Sequence, residues 1–319
     1  MKQAQLGLNL TTKRTRKREF LMEMERVVPW AALVELITPY APEGKRGRPP
    51  FAVQTMLRIH FMQQWFTLSD PAMEEALHDV PLFREFAGLN WDTAVPDETT
   101  ILRFRRLLEE HKLSSQILAL VNQLLGAKGL LLRAGTVVDA TLIAAPSSTK
   151  NASGQRDPDM HQSKKGNQWS FGMKAHIGVD AESGLVHTVR GTAGNVHDVL
   201  EANTLLHGKE SQAWGDAGYQ GADKRPDAKA GVRWNIAMRP GQRRSLDKSR
   251  LVDELTEQLE RIKASIRAKV EHPFRVIKRQ FGHVKVRYRG LMKNTAQLHT
   301  LFALSNLWMA RRALMKVQA

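Results

Sequence analysis

Between residues 52 and 66 the chain reads AVQTMLRIHFMQQWF, with apolar side chains returning every three or four positions. That is the period of a helix with one buried face. SDPAMEEAL (69–77) offers Ser69 or Asp70 as an N-cap, with Pro71 in the first turn and acids just inside. PDETTILRFRRLLEEHKL (96–113) starts the same way, from Asp97 or Thr99, and sets Ile101, Phe104, Leu107 and Leu108 on one face. The first 135 residues therefore read as helical. Short helices and tight turns suit a helix-turn-helix-like DNA-binding module and, equally, a plain bundle.

The period changes near residue 136. GTVVDATLIAA (135–145) is a β-branched run, and SFGMKAHIGVD (170–180) and GLVHTVRGTAG (184–194) flank a short turn as an antiparallel hairpin would. DVLEANTLLHG (198–208) reads as helix, SQAWGDAGYQG (211–221) as a strand running into a glycine-rich turn, and VRWNIAM (232–238) as a further strand. Helices dominate from about 251. A hairpin followed by alternating strands and helices is an α/β pattern. The two textures divide the chain into a helical region, 1–135, and an α/β region, 136–319. Between the first strand and the hairpin, residues 146–169 are polar and aperiodic, so they read as a loop lying along a ligand or as disorder.

Composition narrows the classes. With 319 residues, 42% of them hydrophobic, the chain has material for about two domains. No apolar run approaches the ~18 residues of a membrane span. The basic start, MKQAQLGLNLTTKRTRKREF, is not followed by an apolar signal segment. Absence of cysteine excludes disulfides and thiolate metal sites and fits a cytoplasmic location. The net charge is +16, and residues 261–319 hold 14 Lys and Arg against one acid, Glu271. Charge so concentrated points to a polyanion, and nucleic acid above all. The RGRP stretch, with Arg46 and Arg48, is of a kind that lies in a narrow minor groove, or is an ordinary basic loop. Lys164, Lys165 and Trp169 would suit a DNA-facing loop.

A single glutamate in a basic segment calls for other carboxylates. Asp139 interrupts an apolar strand, where a charge is costly unless paired or metal-bound. Asp216 sits between Gly215 and Gly218 at a strand end. Each alone is explained by a wet strand face or a turn. Together with Glu271 they make an oxygen-only set of the kind Mg²⁺ prefers. Two such ions, ~3.5–4 Å apart, catalyse phosphodiester chemistry in many enzymes. Arg267, Glu271 and Lys278 are four and seven residues apart and share a helical face, though Pro273 introduces a kink or a new helix start. The plain alternative is a solvated Arg–Glu pair worth only ~0.3–0.5 kcal/mol.

With these residues in view the chain resembles the DDE transposases of bacterial insertion sequences, specifically the insertion-sequence-five family. The resemblance is nearly full length. It is carried by VVDATLIAAPSSTKN, RDPDMHQSKKGNQWSFGMKAHIGVD, GNVHDV, GDAGYQG and VEHPFRVIKRQFGHVKVRYRGLMKN, in that order. It implies a ribonuclease-H-like core, a mixed sheet with flanking helices, preceded by an all-α domain that recognises terminal inverted repeats. It makes Asp139, Asp216 and Glu271 the triad holding two Mg²⁺ ions, with Mn²⁺ able to substitute. Arg267 and Lys278 match the basic residues that flank the family's glutamate, and Arg275 joins them as a DNA contact. Related families carry a tyrosine three residues before that arginine, where this chain has Ala264. The implied activity is Mg²⁺-dependent cleavage at element ends and strand transfer into target DNA, by a homodimer, in the bacterial cytoplasm and on the nucleoid. The competing expectations are an inactive transposase-derived DNA-binding protein or repressor, and a general nuclease of the same fold.

Overall fold

A computed structural model describes residues 14–42, 44, 49–133, 135–152, 154–247 and 249–317, so Arg46 and Arg48 lie outside the described residues. Seven helices come first: α1 (Arg16–Val27), α2 (Trp30–Ile37), α3 (Val53–Phe66), α4 (Asp70–Asp79), α5 (Pro81–Ala87), α6 (Glu98–Glu110) and α7 (Leu113–Ala127). Their starts follow from the sequence. Ser69 Oγ accepts the Ala72 N–H at 3.3 Å and Asp97 Oδ1 accepts the Thr100 N–H at 2.7 Å, each satisfying a donor that the first helical turn leaves unpaired.

Six strands then form one mixed sheet: β1 (Thr136–Ala144), β2 (His161–Lys165), β3 (Gln168–Asp180), β4 (Val186–Ala193), β5 (Gln212–Gly215) and β6 (Arg233–Ile236). The order is β2-β3-β1-β5-β6, with β4 paired to β3. β3 is antiparallel to β1, β2 and β4, whereas β5 is parallel to β1 and β6 parallel to β5. The remaining helices are α8 (Asp198–Glu201), α9 (Pro240–Arg244), α10 (Leu251–Arg267), α11 (Glu271–Arg275) and α12 (Leu291–Val317).

Two expectations are corrected. The aperiodic stretch 146–169 ends in order: β2 and the start of β3 form a hairpin in which Lys164 pairs with Trp169. HQSKK shows no alternation because it is polar on both faces, and its register is set by backbone pairing with β3. The helix expected over 198–208 stops at Glu201 and gives way to a 3₁₀ turn over Asn203–Leu205. There the buried Asn203 side chain turns aside to donate to the Ala222 carbonyl at 3.1 Å.

One hydrophobic core runs from Leu21 to Leu314, joining Met24, Leu57 and Val121 of the helical region to Val137, Ile177 and Phe302. α12 is its spine, with Leu298, Leu301, Phe302, Ala303, Leu304 and Leu307 all buried. Asn306 on α12 donates to Asn122 Oδ1 of α7 (2.9 Å) and to the Val186 carbonyl of β4 (2.7 Å), and accepts the Val186 N–H (2.8 Å). A small second cluster, Val138, Ala202, Leu205, Tyr219 and Ala222, lies on the other face of β1. Among the described residues no helix is long and apolar enough to cross a membrane.

Candidate active site

Alternation on β1 sends Val137 and Ile143 into the main core and Val138 into the second cluster, so Asp139 and Thr141 share the main-core face. Residues 136–138 are buried, but 139–142 are only half-buried, because β5 ends at Gly215 and the segment that next bridges β1, at Lys285, meets it only at Ala144. β1 and β5 run parallel with Thr136 level with Ala213 and Val137 with Trp214. Continuing that register sets Asp139 level with Asp216, across an interstrand spacing of ~4.8 Å. The pair thus stands at the carboxyl ends of parallel strands, where open α/β sheets bind ligands.

Gly215 and Gly218 make the Asp216 turn. A Cβ on Gly215 would lie 3.0 Å from the Tyr219 Cβ, and one on Gly218 would lie 2.9 Å from Asp216 Oδ1. Asp216 Oδ1 accepts the Gly218 N–H at 2.8 Å, which fixes one carboxylate oxygen and leaves the other for a ligand.

Electrostatics at Asp139 are those of a site short of positive charge. Burial pushes its carboxyl up to about 6; the Ala140 N–H on Oδ1 (2.7 Å) opposes this, the charge of Asp216 adds to it, Arg267 opposes it, and Asp198 adds again. Beside these acids Tyr219 is wholly buried, its hydroxyl without a hydrogen-bond partner and held well above its ordinary pKa by burial and by Asp139. An acid-rich crevice with an orphaned hydroxyl fits a hard, oxygen-seeking cation.

The segment bearing Glu271 crosses the same face. α10 passes through a 3₁₀ turn (Ala268–Val270) into α11 and then a π turn (Val276–Gln280). Pro273 lacks the N–H that would close a regular α turn, which accounts for the irregular hydrogen bonding around it. Val270, Phe274 and Ile277 anchor this track in the core. Lys278 Nζ donates to Thr141 Oγ1 (2.6 Å) and to the Leu142 carbonyl (2.9 Å), two and three residues beyond Asp139. Arg267, at the other end, bears electrostatically on Asp139 and Tyr219. Glu271 lies between them and is exposed. The structure therefore unites Asp139, Asp216 and Arg267. Glu271 sits on the adjoining helical track without closing a tight cluster with the aspartates.

Among the described residues, the one set of three ligand atoms within 4.8 Å of one another is His187, His207 and Glu210. Hydrogen bonds tie its members together, but the buried His207 Nε2 has no hydrogen-bond partner. The His207 Nδ1 accepts the Lys209 N–H (3.2 Å), which leaves the proton on Nε2, 3.5 Å from Glu210 Oε1. The Thr136 hydroxyl donates to Glu210 Oε1 (2.9 Å), so at 3.0 Å it accepts from His187 Nε2. Gly208 N–H donates to Glu210 Oε2 (2.7 Å). Burial drives His187 down to about 3 and lowers His207, so both rings are neutral at pH 7. This set and the aspartate pair are thus two separate groups of potential ligand atoms.

Lys174 was missed by sequence reasoning. Its Nζ holds Asp198 Oδ1 (2.8 Å) and the Val196 carbonyl (2.8 Å), while the buried His176 bonds Thr192 Oγ1 (2.7 Å) and lies 3.9 Å from the same carboxylate. The signal available was a lone lysine within a strand. Among the expected DNA contacts, Trp169 is 63% exposed at the hairpin tip with Lys164 Nζ 5.6 Å above its ring, and Arg275 is exposed. Lys165 lies in β2, its side chain outside the described residues. An open groove of about 1220 Å³ runs between the helical region and the sheet, its lining mixed in charge, with Arg106, Lys112, Arg190 and Lys293 beside Glu109, Glu110 and Asp159.

The family described as Transposase DDE domain matches residues 131–307, more than half of the chain. The family described as Transposase domain (DUF772) matches residues 9–107. No solved structure matches the chain.

Proposed function

We propose, from the premise that this chain belongs to the transposase DDE family, that it is the transposase of a bacterial insertion sequence of the insertion-sequence-five type. It binds the terminal inverted repeats of its element, hydrolyses phosphodiesters there to free 3′-hydroxyls, and joins these to target DNA. The observation that carries this reading is the position of Asp139. Its carboxyl lies level with Asp216, is disfavoured as an anion by burial and by two neighbouring acids, and has Arg267 as the opposing charge.

Asp139, Asp216 and Glu271 would hold Mg²⁺ in a ribonuclease-H-like core. When bound, the metal supplies the charge that activates water or a 3′-hydroxyl and stabilises the leaving oxygen. Arg267 helps keep Asp139 ionised, and Lys278, locked on Thr141, fixes the track that carries Glu271. Lys164, Lys165, Arg275, Arg46 and Arg48 meet phosphates, and Trp169 offers a ring on which an unpaired base stacks. Residues 1–135 read the inverted repeat. Two ends processed together call for two copies on DNA, and the complex is nucleoid-bound.

The test is a duplex ending in the element's inverted repeat, incubated with and without Mg²⁺. Wild type is expected to nick it at the repeat boundary only with metal; Asp139→Ala binds the duplex and leaves it intact. Equal cleavage by both removes the site assignment. Binding by wild type with no cleavage at any metal concentration favours a DNA-binding protein without catalysis, and cleavage indifferent to a scrambled repeat favours a general nuclease.

A further inference from the structure

At the end of β1 away from Asp139 a second set of ligand atoms comes together. Thr136 opens β1 level with Ala213, and Asp139 lies three residues further on, ~10 Å along the strand. His187 belongs to β4, and His207 and Glu210 lie in the loop that leads into β5. The Glu210 side chain is fully buried and that of His207 is 8% exposed. Gly178 makes room for the His187 ring, since a Cβ there would lie 2.8 Å from His187 Cε1.

The orphaned His207 Nε2 points to what the set holds. Glu210 Oε1 is 3.5 Å from it, beyond the ~2.7–3.2 Å of an N–H···O bond. A plain imidazole–carboxylate pair would close that gap. Two ligand atoms on one tetrahedral ion, each ~2.0–2.1 Å from it, stand ~3.3 Å apart. The ligand atom of His187 lies within 4.8 Å of the other two, and the two rings stand with centroids 4.9 Å apart. The donor set decides the class of ion. Two imidazoles and a carboxylate suit Zn²⁺, whereas Mg²⁺ prefers oxygen alone. The nearby bases do not bar a cation. Arg133 is exposed, and Lys229 Nζ donates to the Leu206 carbonyl at 2.9 Å, while the buried Asp180 adds its negative charge to that of Glu210.

We propose that His187, His207 and Glu210 bind a zinc-class dication that fastens the loop before β5 to the sheet. The ligands are Nε2 of each ring and one Glu210 oxygen, with the Thr136 hydroxyl or a water in the fourth place. Protons balance within the site, because each neutral ring moves its proton from Nε2 to Nδ1 and Glu210 is already an anion. His187 Nδ1–H then donates to Thr188 Oγ1, 2.9 Å away. His207 Nδ1–H gives up the Lys209 N–H, which costs one bond at an exposed residue. The role of the ion is structural. It ties β1, β4 and the entry to β5, and β5 in turn leads into Asp216. The inference stands on these residues alone and is independent of the acid site.

The test is Co²⁺ titrated into the untagged full chain, without DNA, after dialysis against a chelator. One equivalent is expected to give the visible d–d bands of a tetrahedral ion, which Zn²⁺ abolishes and excess Mg²⁺ does not. Proton NMR of the Co²⁺-loaded wild type is expected to show two exchangeable, paramagnetically shifted imidazole N–H signals, one for each histidine ligand. That readout needs no variant and decides the matter even where a variant fails to fold. His207→Gln is expected to weaken Co²⁺ binding by more than the roughly 10–100-fold that loss of an outer-shell partner costs, with far-UV circular dichroism unchanged. Zn²⁺ is expected to raise the Tm of wild type and not that of His207→Gln. Asp139→Ala is expected to keep the bands. Wild type without tetrahedral bands, or with fewer than two shifted N–H signals, overturns the inference. Undiminished bands in His207→Gln overturn it too, as does their loss in Asp139→Ala, which would put the ion at the acid site.

Discussion

Asp139 in "TVVDATLI" was conspicuous before any fold was known, since a carboxylate on an apolar strand needs a partner. Burial and the negative neighbours Asp216 and Asp198 account for a carboxyl that titrates at about 6. The sign follows. In the unfolded chain this group titrates near 3.8, so the folded protein holds its proton more tightly, and stability present below pH 3.8 is lost as pH rises through 6. With a chelator present, Asp139→Asn is therefore expected to raise Tm at pH 7.5 and to leave it nearly unchanged at pH 3.5; an equal shift at both values would show that the carboxylate's charge is not the cause. Tyr219 and the Lys174–Asp198 pair were not legible. They owe their place to packing across 20 to 80 residues of sequence, for which no local period exists.

At the scale of elements, the helices with strong caps and the strands with apolar alternation were legible, because one face of each is buried. β2 was not, since HQSKK is polar on both faces and is placed by β3 alone. The joint between β5 and the 3₁₀ turn at Ala217–Tyr219 was legible through its glycines. There Gly215→Ala is expected to press on the Tyr219 Cβ at 3.0 Å and cost about 1–3 kcal/mol, measured by urea unfolding. An unchanged midpoint would mean that Tyr219 yields freely. The rotation of α10 was also hidden: apolar residues at helical spacing suggest a buried face, whereas Glu257 and Glu260 tie the polar side inward and leave Leu255 and Leu259 exposed.

For the whole molecule, texture divides the chain at 135/136, but a core shared through α12 is a property of packing that sequence texture does not carry. Asn306→Ala removes the bridge from α7 to β4 and leaves the Val186 N–H without its partner. It is expected to lower stability by about 1–3 kcal/mol and to move helix and sheet probes together in one transition; separate transitions would show that the two regions unfold independently. The charge of 14 bases against one acid in residues 261–319 acts at this scale too. Affinity for duplex DNA is expected to fall on the order of 10³-fold between 50 and 200 mM salt, checked by fluorescence anisotropy, and a flat salt response would remove phosphate neutralisation from the account.

The central claim is that Asp139, Asp216 and Glu271 act as one cation site. Electron paramagnetic resonance titration of Mn²⁺ into the protein bound to an element-end duplex addresses it most directly, because the readout is occupancy rather than cleavage. Wild type is expected to bind tightly, and Asp139→Ala, Asp216→Ala and Glu271→Ala each to weaken binding at least tenfold. Unchanged affinity in Glu271→Ala would contradict the three-acid site, and unchanged affinity in all three would place the cation elsewhere.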